Sequence, residues 1–219
     1  MAVKPCVKIE VTVLGPIDNN VYIIEGSDAT FVVDPTEQAP YLVELLKGRS
    51  CAAIVLTHAH WDHIGAAKEL RDLTGAPVIA SAVDAPIIEG SERLGSNLCG
   101  FDPCPVDRAV SDGEIVEIGS MKWQVMVTPG HTPGSMCLFL DPAYGADPEG
   151  IPVLISGDTL FSGAHGRTDF EGSNPAAMCE SLHRLAELPE ETLVLTGHNQ
   201  LTTIALERPW MTGSHPVFR

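Results

Sequence analysis

Apolar and polar residues alternate along much of the chain, in short runs that turn residues interrupt. Near the start, "VKIEVTV" at 7–13, "NVYII" at 20–24 and "TFVV" at 30–33 read as strands, with Gly, Pro, Asn and Asp between them. Leu42, Leu45 and Leu46 then share one face of a helix predicted from about 40 to 47. A strand at 51–56, a loop crowded with histidine, a helix from about 65 to 73 and a strand at 78–80 follow. Residues 90–112 are rich in Gly, Pro, Ser and Asp and carry no period, which predicts a long surface loop of the kind that often serves function. Beyond it come strands near 115–118, 122–128, 136–140 and 153–156, a hairpin loop over 141–152, a helix near 175–188 and a strand at 192–196. Strands grouped in meanders, with helices between them, predict an α/β sandwich of mixed sheets formed by one domain over 1–219.

Four of these runs stop in polar segments built from metal-ligand residue types. "VLTHAHWDH" carries His58, His60, Asp62 and His63; "VMVTPGHTPGS" carries His131; "VLISGDTLF" carries Asp158; "LVLTGHN" carries His198. Residues just past strand ends gather on one edge of a sandwich, where rigid strands hold the loops. In an extended stretch residues i and i+2 point the same way, so His58 and His60 can grip one ion. The turn into the next helix lets Asp62 and His63 face a second position. His131 completes the first site and His198 the second, while the two oxygens of Asp158 can bridge them. Imidazole and carboxylate donors suit zinc, and also iron or manganese. The other three histidines, His165, His183 and His215, fall outside this pattern and read as surface or satisfied core residues.

Charge narrows the partners. Lys plus Arg number 13 against 29 Asp plus Glu, a formal charge of −16, with no basic cluster to meet a phosphate backbone, so no nucleic-acid partner is expected. No apolar run approaches the roughly 18 residues of a membrane span, and the N-terminus lacks the apolar core of a signal peptide. The six cysteines form no CxxC pair, and a disulfide between Cys99 and Cys104 is disfavoured. Together these features predict a reduced, cytoplasmic protein.

"THAHWDH", "PGHTPGS", "SGDTLF" and "TGH" resemble the metal motifs of the metallo-β-lactamase superfamily. "GDTLFSGAHGRTDF" and "PVDRAVSDGEIVEIG" resemble the glyoxalase II-like hydrolases and their persulfide dioxygenase relatives. The likeness runs from "NNVYII" to "TTIALER" and implies an αββα sandwich of two mixed sheets flanked by helices, with the site on one edge. It implies His58, His60 and His131 on the first of two divalent ions, preferably zinc, then Asp62, His63 and His198 on the second, and Asp158 as the bridge. Asp34, in "VVDP", matches an aspartate behind the ligands that orients an imidazole.

The implied reaction is hydrolysis of a small-molecule thioester, a 2-hydroxyacyl thioester such as lactoyl-glutathione. The metals make hydroxide available near neutral pH, and Asp62 orients the nucleophile and moves a proton. Arg93, Arg108 and Arg167 are candidate substrate partners, though "GRTDF" favours an Arg167–Asp169 ion pair. Trp61 either lines the entrance or packs. The alternative is persulfide dioxygenation on one iron, for which His58, His131 and Asp158 are also present. A lactonase, a β-lactamase or an inactive binding protein ranks below both. The best-known zinc β-lactamases carry cysteine where this chain has Asp158, and inactive relatives lose ligands. Two positions depart from the pattern: Asn199 stands where glycine is usual, and His165 where a small or apolar residue is usual. Residues 199–219 are too few for the helical domain with which glyoxalase II helps hold glutathione, which leaves the carrier thiol open. Oligomeric state is not legible, although the tail "PWMTGSHPVF" is apolar enough to pack.

Overall fold

A computed structural model of the chain describes residues 4–97 and 99–213. His215 and the end of the apolar tail lie outside the described residues.

The first half of the chain builds one six-stranded sheet: β1 (Lys8–Leu14), β2 (Asn19–Glu25), β3 (Thr30–Val33), β4 (Cys51–Val55), β5 (Val78–Ser81) and β6 (Arg108–Val110), side by side in sequence order. Between them run the helices α1 (Ala39–Leu46), α2 (Trp61–Ile64), α3 (Ala67–Thr74) and α4 (Ala85–Ile88). The second half builds the other sheet from β7 (Ile115–Ile118), β8 (Met121–Val127), β9 (Met136–Leu140), β10 (Val153–Gly157), β11 (Leu193–Thr196) and β12 (Thr202–Thr203), with α5 (Pro175–Leu185) and α6 (Ile204–Met211) outside it. Each sheet begins with antiparallel hairpins and then takes on parallel pairs, β3–β4–β5–β6 in one and β10–β11 in the other. The mixed-sheet αββα sandwich is therefore the observed fold.

The alternation in the sequence explains the layers. In β8, Met121, Trp123 and Val125 face inward while Lys122 and Gln124 face out. Phe31 of the first sheet meets Trp123 of the second edge-to-face, ring centres 5.6 Å apart, in the core between the sheets. Leu42, Leu46, Leu70 and Ile88 seal the outer face of the first sheet, and Met178, Leu182, Leu185 and Met211 that of the second. Among the described residues, no helix is long and apolar enough to cross a membrane.

Strand direction positions the site. In the first sheet β3, β4 and β5 are parallel, so their carboxyl ends share one edge. In the second, β8 and β10 both run antiparallel to β9, and β11 runs parallel to β10, so all three end on a common edge. At that edge the sheets are joined by main-chain bonds from Asn20 N–H to Gly197 O at 2.8 Å and from Met136 N–H to Thr57 O at 2.9 Å.

Two expectations need correction, and one helix is an addition. The segment 90–112 is not loop throughout: β6 forms within it, where Arg108, Ala109 and Val110 pair with β5, and three residues are too few to show a period. The turn out of the histidine loop starts at Trp61, not near Gly65. Helix α6 was not foreseen, because Pro209 lies inside it and reads locally as a stop.

Candidate metal centre

All seven ligand-type residues gathered from the strand ends converge on this edge. The donor atoms of His58, His60 and His131 lie within 4.8 Å of one another, and so do those of Asp62, His63 and His198. Asp158 sits between the two groups, 3.4 Å from His131 Nε2, 3.3 Å from His63 Nε2 and 3.6 Å from His198 Nε2. His58, His60, Asp62, His63, His131 and Asp158 are all buried.

Each imidazole is anchored by one nitrogen and aims the other inward. His58 Nδ1 lies 3.1 Å from Thr57 Oγ1, which leaves a buried Nε2 with no hydrogen-bond partner. His60 Nε2 is 2.8 Å from Ser96 Oγ, so its Nδ1 faces His131 Nε2, also at 2.8 Å. His131 Nδ1–H donates to Arg167 O at 2.8 Å, and His198 Nδ1–H to Ile17 O at 3.1 Å. His63 Nδ1 meets Asp34 Oδ2 at 2.9 Å. Such outer partners set both tautomer and ring orientation.

Asp34 is itself held in the left-handed region, at φ 48°, and accepts from Thr57 N–H at 2.8 Å and from Thr57 Oγ1 at 2.7 Å. Its two oxygens are thus occupied by three donors. Although Asp34, His58 and His63 also lie close enough to share an ion, Asp34 is placed as a support.

The donors fit divalent cations. In the second group the His63–His198, His63–Asp62 and His198–Asp62 donor separations are 3.3, 3.3 and 3.4 Å. Ligands about 2.0–2.1 Å from a tetrahedral zinc stand roughly 3.3–3.4 Å from one another. Buried atoms without partners, His58 Nε2 and Asp158 Oδ1, point to the same need for a cation.

Electrostatics separates the two groups. Burial drives the His58 and His60 imidazoles down, His60 to about 3, and neighbouring imidazoles add to the effect. Burial acts the same way on His63, but the Asp158, Asp34 and Asp62 carboxylates outweigh it and hold His63 well above its ordinary range. His198 is likewise raised, because its bond to Asp62 and the charge on Asp158 overcome burial. Burial alone would raise Asp62 and Asp158. Hydrogen bonds from His198 and His63 overturn that for Asp62, and the charge on His63 does so for Asp158, so both stay well below the carboxylate range.

Backbone geometry accounts for one departure and for a close approach. Asn199 has φ 63°, a conformation glycine adopts freely and asparagine tolerates best among other residues. Gly197 passes so near Asp158 Oδ1 and His63 that a methyl there would overlap both.

The candidate substrate residues separate. Arg167 grips Asp169 with two bonds, at 2.9 and 2.7 Å, and lies over the Phe170 ring, 4.2 Å from its centre; that ring in turn touches His60 and His131. Arg93 lines a pocket of about 420 Å³ with Leu94, Asn97, Cys99 and Phe101. Trp61 is half-buried at the start of α2, its N–H bonded to Asn97 Oδ1 at 2.9 Å. Arg108 donates to Ile115 O at 3.0 Å and is not brought to the cluster. His165 stacks on Trp210, and His183 lies near Cys179, so neither joins the donors.

Four residues at the site were not foreseen. Asp84 is buried and accepts from Ala59 N–H and Thr132 Oγ1, both at 2.9 Å, which ties the His58–His60 loop to the His131 loop. Ser96 and Asn97 reach in from the loop after α4. Asn19 enters from the first position of β2, where its Nδ2 donates to Asp62 Oδ2 at 2.8 Å. Because β2 runs against β3, strand starts as well as strand ends reach this edge, and "NN" ahead of "VYII" was the available signal.

The match of residues 14–198 to the metallo-beta-lactamase superfamily model decides the family. This chain belongs to it. Its similarity extends to the hydroxyacylglutathione hydrolase of Pseudomonas entomophila, 35% identical over 91% of this chain and 70% of that one. Among solved structures, it resembles TTHA1623 in a di-iron-bound form, with TM-score 0.76 and 35% identity over 90% of this chain and 96% of that one. It also resembles the B3 metallo-beta-lactamase BLEG-1, with TM-score 0.80 and 34% identity over 94% and 100% of the two chains. The chain is thus a metallo-hydrolase superfamily member whose His/Asp cluster suits two divalent ions.

Proposed function

We propose that this protein is a cytoplasmic, binuclear hydrolase of small 2-hydroxyacyl thioesters such as lactoyl-glutathione. The observation that carries this reading is the pair of donor triads with Asp158 in reach of both. In it, His58, His60 and His131 would hold one ion and Asp62, His63 and His198 the other, with Asp158 shared between them. Bound there, the ions, zinc foremost, supply hydroxide near neutral pH and a Lewis acid for the carbonyl oxygen.

The chain's own groups do the rest. The Asp62 carboxylate, itself a donor of the second triad, also orients the attacking water and takes its proton. Asp34 keeps the lone pair of His63 Nε2 directed inward. The apolar ring of Phe170 shields His60 and His131 from bulk water. Trp61, at the start of α2, and Arg93, in the pocket it lines with Asn97, are the proposed substrate contacts, and the Arg167–Asp169 pair lies beside His131.

Metal content and two assays on one preparation test the proposal. About two metals per chain with thiol release from lactoyl-glutathione supports it. One iron per chain with oxygen uptake on glutathione persulfide replaces it with the dioxygenase reading. Two metals with turnover of a cephalosporin alone replaces it with a lactamase.

A further inference from the structure

Asn19 is fully buried, yet its carboxamide is only half satisfied. Nδ2 donates to Asp62 Oδ2 at 2.8 Å and stands 3.3 Å from His63 Nε2 and 3.4 Å from His198 Nε2, while Oδ1 has no partner. The three atoms it faces are the donors of the second triad, themselves 3.3–3.4 Å apart. The end of the amide therefore caps that triangle of donors, in addition to the place the bridging Asp158 would take.

An N–H there suits the Asp62 carboxylate it faces. With a cation among the three donors, the same N–H would point its positive end at a positive charge. Amide oxygen and nitrogen are nearly the same size, and half a turn about the last side-chain bond exchanges them without moving the chain. We infer that Asn19 is a further protein ligand of the second metal, turning its amide oxygen to the ion. The inference rests on the binuclear reading above. An added oxygen donor takes the coordination number above four, which suits manganese or ferrous ion better than tetrahedral zinc.

The hairpin fixes this placement. Gly15, at φ 81°, and Asp18, at φ 57°, turn the chain between β1 and β2, and a bridge between Asn19 and His198 pins the first residue of β2 to the opposite sheet. Asn19 thus meets His198 through main chain as well as side chain, which keeps the amide on target.

The test compares wild type, Asn19→Ala and Asn19→Asp by chelator competition, and by the visible absorption of the cobalt-loaded protein. Asn19→Ala is expected to keep the first metal and release the second about tenfold more readily or faster still. Its cobalt band should intensify as the coordination number falls. Asn19→Asp always presents oxygen. It should hold the second metal at least as tightly as wild type, while its metal-free form melts lower because a carboxylate then faces Asp62.

Wild-type affinity and spectrum in Asn19→Ala would overturn the inference. So would an Asn19→Asp protein that loses the second metal as Asn19→Ala does, since Asn19 would then act only as a donor to Asp62. If Asn19→Ala does not fold, the isosteric Asp variant decides alone. A wild-type chain that holds no second metal overturns the binuclear reading together with this one, whereas two metals in wild type and no change in the variants sinks Asn19 alone.

Discussion

Replacing Asp34 by Asn is the sharpest probe of how the second metal position is organised. Asp34 sits at φ 48°, which asparagine also tolerates, so the backbone is not the variable. Its oxygens receive Thr57 N–H, Thr57 Oγ1–H and His63 Nδ1–H. An asparagine offers one oxygen for these three donors. Its best arrangement keeps the oxygen on Thr57 N–H, because a backbone donor cannot reverse. The amide NH₂ then faces Thr57 Oγ1, which rotates, and His63 Nδ1, which must give up its proton. His63 consequently carries the proton on Nε2, the atom aimed at the metal position, and the proton must leave before an ion binds. Losing a charge-assisted bond of this kind costs roughly 1.5–3 kcal/mol, equivalent to about a tenfold to hundredfold loss of affinity. Chelator competition on the fully loaded variant should show that loss at the second site with the first within about twofold, and thiol release should fall with second-site occupancy. An Asp34→Asn protein that binds both metals like wild type would refute the account of His63.

Ser96→Ala should act on the other triad: His60 loses its Nε2 partner, and the first metal should be released about tenfold faster in a chelator chase, the second little changed. As pH falls, protons compete for His63 and His198, which titrate above the ordinary imidazole range, while His58 and His60, held below it, remain bare. The second site should therefore empty before the first as the pH is lowered, and equilibrium dialysis showing the reverse order would contradict the charge arrangement. Phe31→Ala removes a ring packed against Trp123 between the sheets and should cost roughly 3–5 kcal/mol, read as a melting temperature lower by about 10 °C. A loss under about 1 kcal/mol would mean that the core collapses to fill the space.

Most of the site was legible because its chemistry is concentrated where strands stop. His58, His60, His131, Asp158 and His198 each follow an apolar run, and one rule about strand ends collects them. Asn19 escaped that rule by sitting at a strand start, which reaches the same edge only because β2 runs against its neighbour. Ser96 and Asp84 escaped for a different reason. They belong to aperiodic or short segments, and their roles arise from contacts 36 and 48 residues away along the chain, with His60 and Thr132. Arg108 shows the converse. Charge type alone suggested a substrate contact, whereas the register of β6 sends its guanidinium to a main-chain carbonyl. Helix α6 was hidden by Pro209, a strong local signal that packing of Ile204 and Met211 overrides.

One sheet comes wholly from residues 8–110 and the other wholly from 115–203, and the chain passes between them once. Each donor triad takes two members from the first half and one from the second, so neither half completes either triad alone. Ion capture and the mating of the halves are consequently one equilibrium seen from two ends: every factor by which docking sharpens the grip on metal is returned as tighter docking. Two fragments divided in the turn at 111–114 would then bind each other more tightly with the ion present than with a chelator.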